Sequence, residues 1–99
     1  MDSTVKSVHF DIDDLTRDLL DHKMEKLDFA SDKVQDMDFT FTKDKSHTYE
    51  LEAKIHFRWG DNSVIKLETY DLREGINKLV DKVDQKVRKE VDKIQDRKT

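Results

Sequence analysis

From Tyr49 to Trp59 apolar and polar residues alternate without a break. Tyr49, Leu51, Ala53, Ile55, Phe57 and Trp59 fall on one side, and Glu50, Glu52, Lys54, His56 and Arg58 on the other. Successive strand side chains point to opposite faces, so this run predicts a strand with one core face and one wet face. The same period of two appears from Val34, where Met37, Phe39 and Phe41 alternate with Asp38, Thr40 and Thr42. The polar stretch DKSH between the two runs predicts a turn. WGDN, Trp59 to Asn62, predicts another, because Gly, Asp and Asn tolerate positive φ. A further strand from Ser63 to Tyr70 then completes a β-meander. Ahead of it, the short run TVKSVHF, Thr4 to Phe10, contains β-branched residues and predicts a first strand.

Two segments change to a helical period. At about 100° per residue, Thr16, Leu19, Leu20, Met24 and Leu27 share one face, while Asp18, Asp21, His22 and Glu25 point elsewhere. This predicts a helix from Asp14 to about Leu27, with the Asp13 carboxylate accepting from a free amide of the first turn. A second helix runs from about Leu72 nearly to the end. Its stripe of Leu72, Ile76, Leu79, Val80, Val83, Val87, Val91 and Ile94 has the width that packs on a sheet. The order is β-α-β-β-β-α. The expected fold class is α+β: two layers, with a four-stranded mixed sheet and both helices on one face, reminiscent of a double-stranded-RNA-binding domain. The first two strands, if neighbours, are parallel and joined by a right-handed crossover through helix one.

Composition changes this picture little. Charged residues make up 42% of the chain and the mean hydropathy is −0.92, values that suit disorder only when apolar residues are scattered. Here they are patterned. With 99 residues, a single domain over 1–99 is expected. Proline is absent and the two glycines are Gly60 and Gly75, so breaks between elements rest on Asp, Asn and Ser. Cysteine is absent, which excludes disulfides and thiolate metal sites. No apolar run approaches the roughly 18 residues that span a bilayer, and MDSTVKSV lacks a signal peptide's basic start and apolar core. The expectation is a soluble, cytoplasmic protein without membrane partners.

Charge becomes informative in the last quarter. The net charge is −4, yet lysine recurs almost every turn from Ile76 onward. On a helical wheel Lys78, Lys82, Lys86, Lys89, Lys93 and Arg97 occupy a sector of roughly 100° beside the apolar stripe. Glu74, Asp81, Asp84 and Asp92 lie on the opposite flank. Asp71, Glu90 and Asp96 interrupt the basic side, and Arg88 the acidic side. Alternating charge can simply keep a long helix soluble through i,i+4 pairs. A one-sided lysine row can instead track a phosphate backbone, each ammonium neutralising a phosphate and releasing a counterion. The acidic total argues against a protein that coats any nucleic acid, but does not exclude one that docks a basic ridge in a shaped site.

LTRDLLDHKMEKLDF resembles the first helix of the ribosome hibernation promoting factors and ribosome-associated inhibitors, with Arg17, Leu20, Lys23, Met24, Lys26 and Leu27 filling that family's pattern. ETYDLREGINKLVDKVDQKVRKEVDKI is similar to the family's last strand and helix at Asp71, Leu72, Ile76, Leu79, Val80, Asp81, Lys82, Val83, Arg88, Lys89 and Lys93. The element order agrees, so the likeness covers nearly the whole chain. Departures are Arg73 for a frequent tyrosine, Gln85 for a frequent arginine, Ser7 for a glycine ending the first strand, and Asp13 for a capping threonine.

The resemblance implies a stress or stationary-phase factor that binds the small ribosomal subunit where messenger and the A- and P-site transfer RNAs sit, and that inhibits translation by occupancy. It implies ribosomal-RNA contacts at Arg17, Lys23, Lys26, Lys82, Arg88, Lys89 and Lys93, to which the wheel adds Lys78 and Lys86. It also implies a short form without the added C-terminal domain of some members, expected to be a monomer when free.

Other chemistry is weak. His9, His22, His47 and His56 share no i,i+4 helix face and match no zinc spacing, so no metal or other cofactor is expected. Asp11, Asp13 and Asp14 suit a helix start. Trp59 could stack on a base, but it continues the inward alternation of its strand. No phosphate loop, nucleophile elbow or base-activated hydroxyl can be proposed, so neither catalysis nor a small-molecule substrate is expected. Two rival readings remain: a protein-binding or self-associating module without RNA affinity, and a binder of plain duplex RNA.

Overall fold

A computed structural model describes residues 1–97, with side chains as far as Ile94. The chain forms β1 (Asp2–Val8), α1 (Asp14–Met24), a 3-10 helix (Glu25–Ala30), β2 (Val34–Lys43), β3 (Tyr49–Phe57), β4 (Asn62–Thr69) and α2 (Leu72–Arg97). The sheet order is β1-β2-β3-β4, with β1 parallel to β2 and the remaining pairs antiparallel. The expected α+β order and mixed four-stranded sheet are therefore found.

The alternation does what it predicts. Met37, Phe39 and Phe41 of β2 and Leu51, Ala53, Ile55 and Phe57 of β3 are buried beneath Leu20 and Leu27 and beneath Ile76, Leu79, Val80, Val83 and Val87 of α2. Edge strand β4 is only half-buried at Ser63, Ile65, Leu67 and Thr69. The turn after β3 closes with Gly60 at φ +99, a conformation open to glycine at no steric cost.

Two elements differ most from the pattern. β1 starts and ends two residues earlier than expected, because its ends are set by pairing with β2, from Asp2 against Asp36 to Val8 against Thr42. His9, at φ +68, then turns the chain out of the strand. Helix one stops being α-helical at Met24 and tightens into the 3-10 turn. Side chains three apart eclipse in that geometry, so Leu27 and Ala30 both stay buried while Phe29 is turned outward. The start of α1 is as expected: the Asp13 carboxylate accepts from the Thr16 amide at 2.7 Å. Hydrogen bonds from Thr16, first its side chain and then its backbone N–H, hold the Asp13 carboxyl below its ordinary pKa. None of the described helices is long and apolar enough to cross a membrane.

Candidate nucleic-acid interface

The buried stripe from Ile76 to Val87 fixes the rotation of α2 on the sheet, and so decides which flank meets β4 and which meets the first helical segment. On the β4 flank, Lys82, Gln85, Lys86 and Lys89 line a shallow groove of about 300 Å³ with Ile65. Lys82 and Lys89 are exposed and have no ion-pair partner among the described residues. Lys86 pairs with Glu90 at 3.1 Å, and Lys93 approaches the same carboxylate at 3.4 Å. The Glu90 side chain is only 16% exposed. The hydrogen bond from Lys86, helped by the charges of Lys86 and Lys93, holds its carboxyl below the usual range. Lys78 lies 3.9 Å from Glu74.

The opposite flank is stitched to the first helical segment. Lys26 donates to Asp81, and Arg88 is held by Asp84 through Nε at 3.1 Å. The Arg88 guanidinium also lies over the Phe29 ring, 4.1 Å from its centre. On α1 itself, Arg17 pairs with Asp21 at 3.3 Å, while Lys23 has no ion-pair partner among the described residues. The nine cations singled out from the sequence therefore divide. Arg17, Lys26, Lys78, Lys86, Arg88 and Lys93 have carboxylates beside them; Lys23, Lys82 and Lys89 do not. The side chains of Arg97 and Asp96 lie outside the described residues.

Trp59 stacks on Phe57, with centroids 4.6 Å apart, and its indole N–H donates to Asp61 at 3.0 Å. That is packing against the core at the end of β3. Two features escaped the linear reading. The Phe29–Arg88 contact depends on the 3-10 turn, which the α-helical wheel does not represent. On the open sheet face, the register sets His56 opposite Asp36, with Nε2 at 3.8 Å from Asp36 and 3.9 Å from Asp38. The Thr4 hydroxyl donates to Asp38 at 2.6 Å. Asp36, Asp38 and His56 could offer ligand atoms within 4.8 Å of one another, a juxtaposition made by strand pairing and invisible in sequence spacing. A protonated His56 would pair with either carboxylate.

Residues 3–95 match the family model described as Sigma 54 modulation protein / S30EA ribosomal protein. The chain belongs to this family. The S30EA family comprises ribosome-associated, hibernation-type proteins, as the resemblance of both helices implies. Among solved structures, a ribosomal subunit interface protein from Coxiella burnetii superposes with a TM-score of 0.79 at 17% identity, over 90% of this chain and 96% of that one. The N-terminal domain of Protein Y from Thermus thermophilus superposes at 0.73 with 20% identity, over 87% and 93%. At these identities the two structures show a shared fold. No curated protein sequence is significantly similar.

Proposed function

We propose that this S30EA protein binds the small ribosomal subunit where messenger and the A- and P-site transfer RNAs lie, and inhibits translation by occupying that space during stress or stationary phase. Residues 1–99 act as one ribosome-binding domain in the cytoplasm, monomeric when free and without catalysis or cofactor. The observation that carries this reading is the groove between α2 and β4, in which Lys82 and Lys89 stand unpaired on either side of Gln85 and Lys86. Structured RNA is read largely through shape and backbone, and lysines on a rigid helix meet phosphates as point charges.

The paired cations contribute less in their resting state, because each must exchange a carboxylate for a phosphate. Lys82, Lys89 and Lys23 are the primary phosphate contacts; Arg17, Lys26, Lys78, Lys86, Arg88 and Lys93 form the surrounding field. The acidic remainder of the surface repels RNA elsewhere, which restricts binding to a site whose shape admits the helical face. The test is charge reversal, Lys82→Glu with Lys89→Glu. Binding to purified small subunits is expected to be lost with an unchanged circular-dichroism spectrum; undiminished binding would remove the groove from the mechanism.

A further inference from the structure

Phe29 is 45% exposed, although Leu27 and Ala30 on either side of it are buried. The Arg88 guanidinium covers one part of it at 4.1 Å from the ring centre. Asp84 grips the Nε edge of that guanidinium at 3.1 Å, while the arginine side chain as a whole remains 60% exposed. The result is a planar cation held in one place, backed by an aromatic ring and open on its outer side.

We infer that Phe29 and Arg88 form a stacking platform for one unpaired nucleobase of RNA, a base-contacting subsite on the flank of α2 opposite the phosphate-contacting groove. This rests on the reading of the protein as an RNA binder. Unstacked bases of structured RNA are held on aromatic rings and on guanidinium planes alike, and any base can serve because each has a π-face. The ion pair with Asp84 pre-orders the arginine, so little rotamer freedom is lost when a base arrives. The unengaged Nη groups are donors that can reach a base edge or a neighbouring phosphate. Arg88 and Lys89 are consecutive, about 100° apart around the exposed back of α2. A single RNA strand crossing that back can lay a base on Arg88 and a phosphate on Lys89.

Stacking and phosphate neutralisation are separable by salt. Counterion release sets the slope of log affinity against log salt, whereas stacking shifts the line without tilting it. The experiment measures the affinity of the whole chain for purified small ribosomal subunits across a salt series, for the wild type and for Phe29→Leu, Phe29→Tyr and Arg88→Lys. Phe29→Leu retains apolar bulk without a ring, and Arg88→Lys retains charge without a plane. Both are expected to weaken binding roughly 5- to 100-fold at every salt concentration with the slope unchanged. Phe29→Tyr is expected to bind as the wild type does.

Arg88→Lys sits on the surface and reads the platform even if Phe29→Leu fails to fold. Wild-type affinity in both Phe29→Leu and Arg88→Lys, or a loss accompanied by a flatter slope, would overturn the stacking platform while leaving the groove intact. Failure of the wild type to bind at any salt would overturn the RNA reading and the platform with it.

Discussion

The Lys26 ammonium donates to the Asp81 carboxylate, joining the 3-10 turn after α1 to the middle of α2 across 55 positions of sequence. Both side chains are largely solvated, 42% and 59% exposed, so the pair contributes at most about 1 kcal/mol to stability. On the proposed reading its larger consequence is for RNA binding, because the Lys26 cation already faces an anion.

Asp81→Asn is therefore expected to tighten small-subunit binding at low salt by releasing Lys26 and deleting a negative charge, with little change in melting temperature. Lys26→Met is expected to weaken binding less than Lys82→Met, since Lys82 has no carboxylate to compensate. Equal losses for the two lysines in parallel affinity measurements would show that the Lys26–Asp81 pair does not withhold Lys26 from RNA.

Glu90 acts in the same sense on the β4 flank, where one carboxylate serves Lys86 and Lys93. Glu90→Gln is expected to raise affinity and to steepen the salt dependence by about 0.7–0.9 for each released lysine that takes up a phosphate. A salt series on the variant checks this; an unchanged slope would mean that neither lysine meets a phosphate.

At Gly75 α2 lies close against β3 and β4. A Cβ there would run into the Thr69 methyl and come within 2.9 Å of Leu51 Cδ1. Alanine improves helix propensity by about 1 kcal/mol over glycine, but overpacking of this kind costs about 1–3 kcal/mol. Gly75→Ala is expected to lower the urea midpoint with an unchanged m-value. A raised midpoint would show that α2 can lift away from β4 without loss.

Asp13 makes a pH-dependent contribution. Its folded pKa lies below the ordinary value of 3.8, so the stability it supplies is fully present above that value and is lost as pH falls through the folded pKa. Asp13→Ala is expected to unfold more readily than the wild type from pH 5 to 8, with the difference shrinking toward pH 2. Thermal melts of both proteins across this range check it; a gap that persists at pH 2 would place the effect in packing rather than in the charged cap.

Much of the fold was legible in the chain. An unbroken period of two marks β2 and β3, and a stripe from Leu72 to Ile94 can only be one helical face. What was not legible depends on contacts between distant segments. The limits of β1 follow from β2, and the 3-10 turn follows from burial of Leu27 and Ala30 together.

The candidate interface was legible in kind but not in detail. The wheel placed the lysines on one sector, and i,i+4 spacing already joins Lys86 to Glu90 and Arg88 to Asp84. Nothing in the spacing brings Lys26 to Asp81 or Phe29 to Arg88, so neither which cations are free nor where a base could stack was readable.

The most direct test of the central claim is co-sedimentation of the purified chain with isolated small ribosomal subunits at low and raised salt, with and without initiator transfer RNA as competitor. Occupancy of the messenger and transfer-RNA region predicts binding that weakens steeply with salt and is displaced by the transfer RNA. Binding that survives raised salt and coexists with the transfer RNA would contradict it.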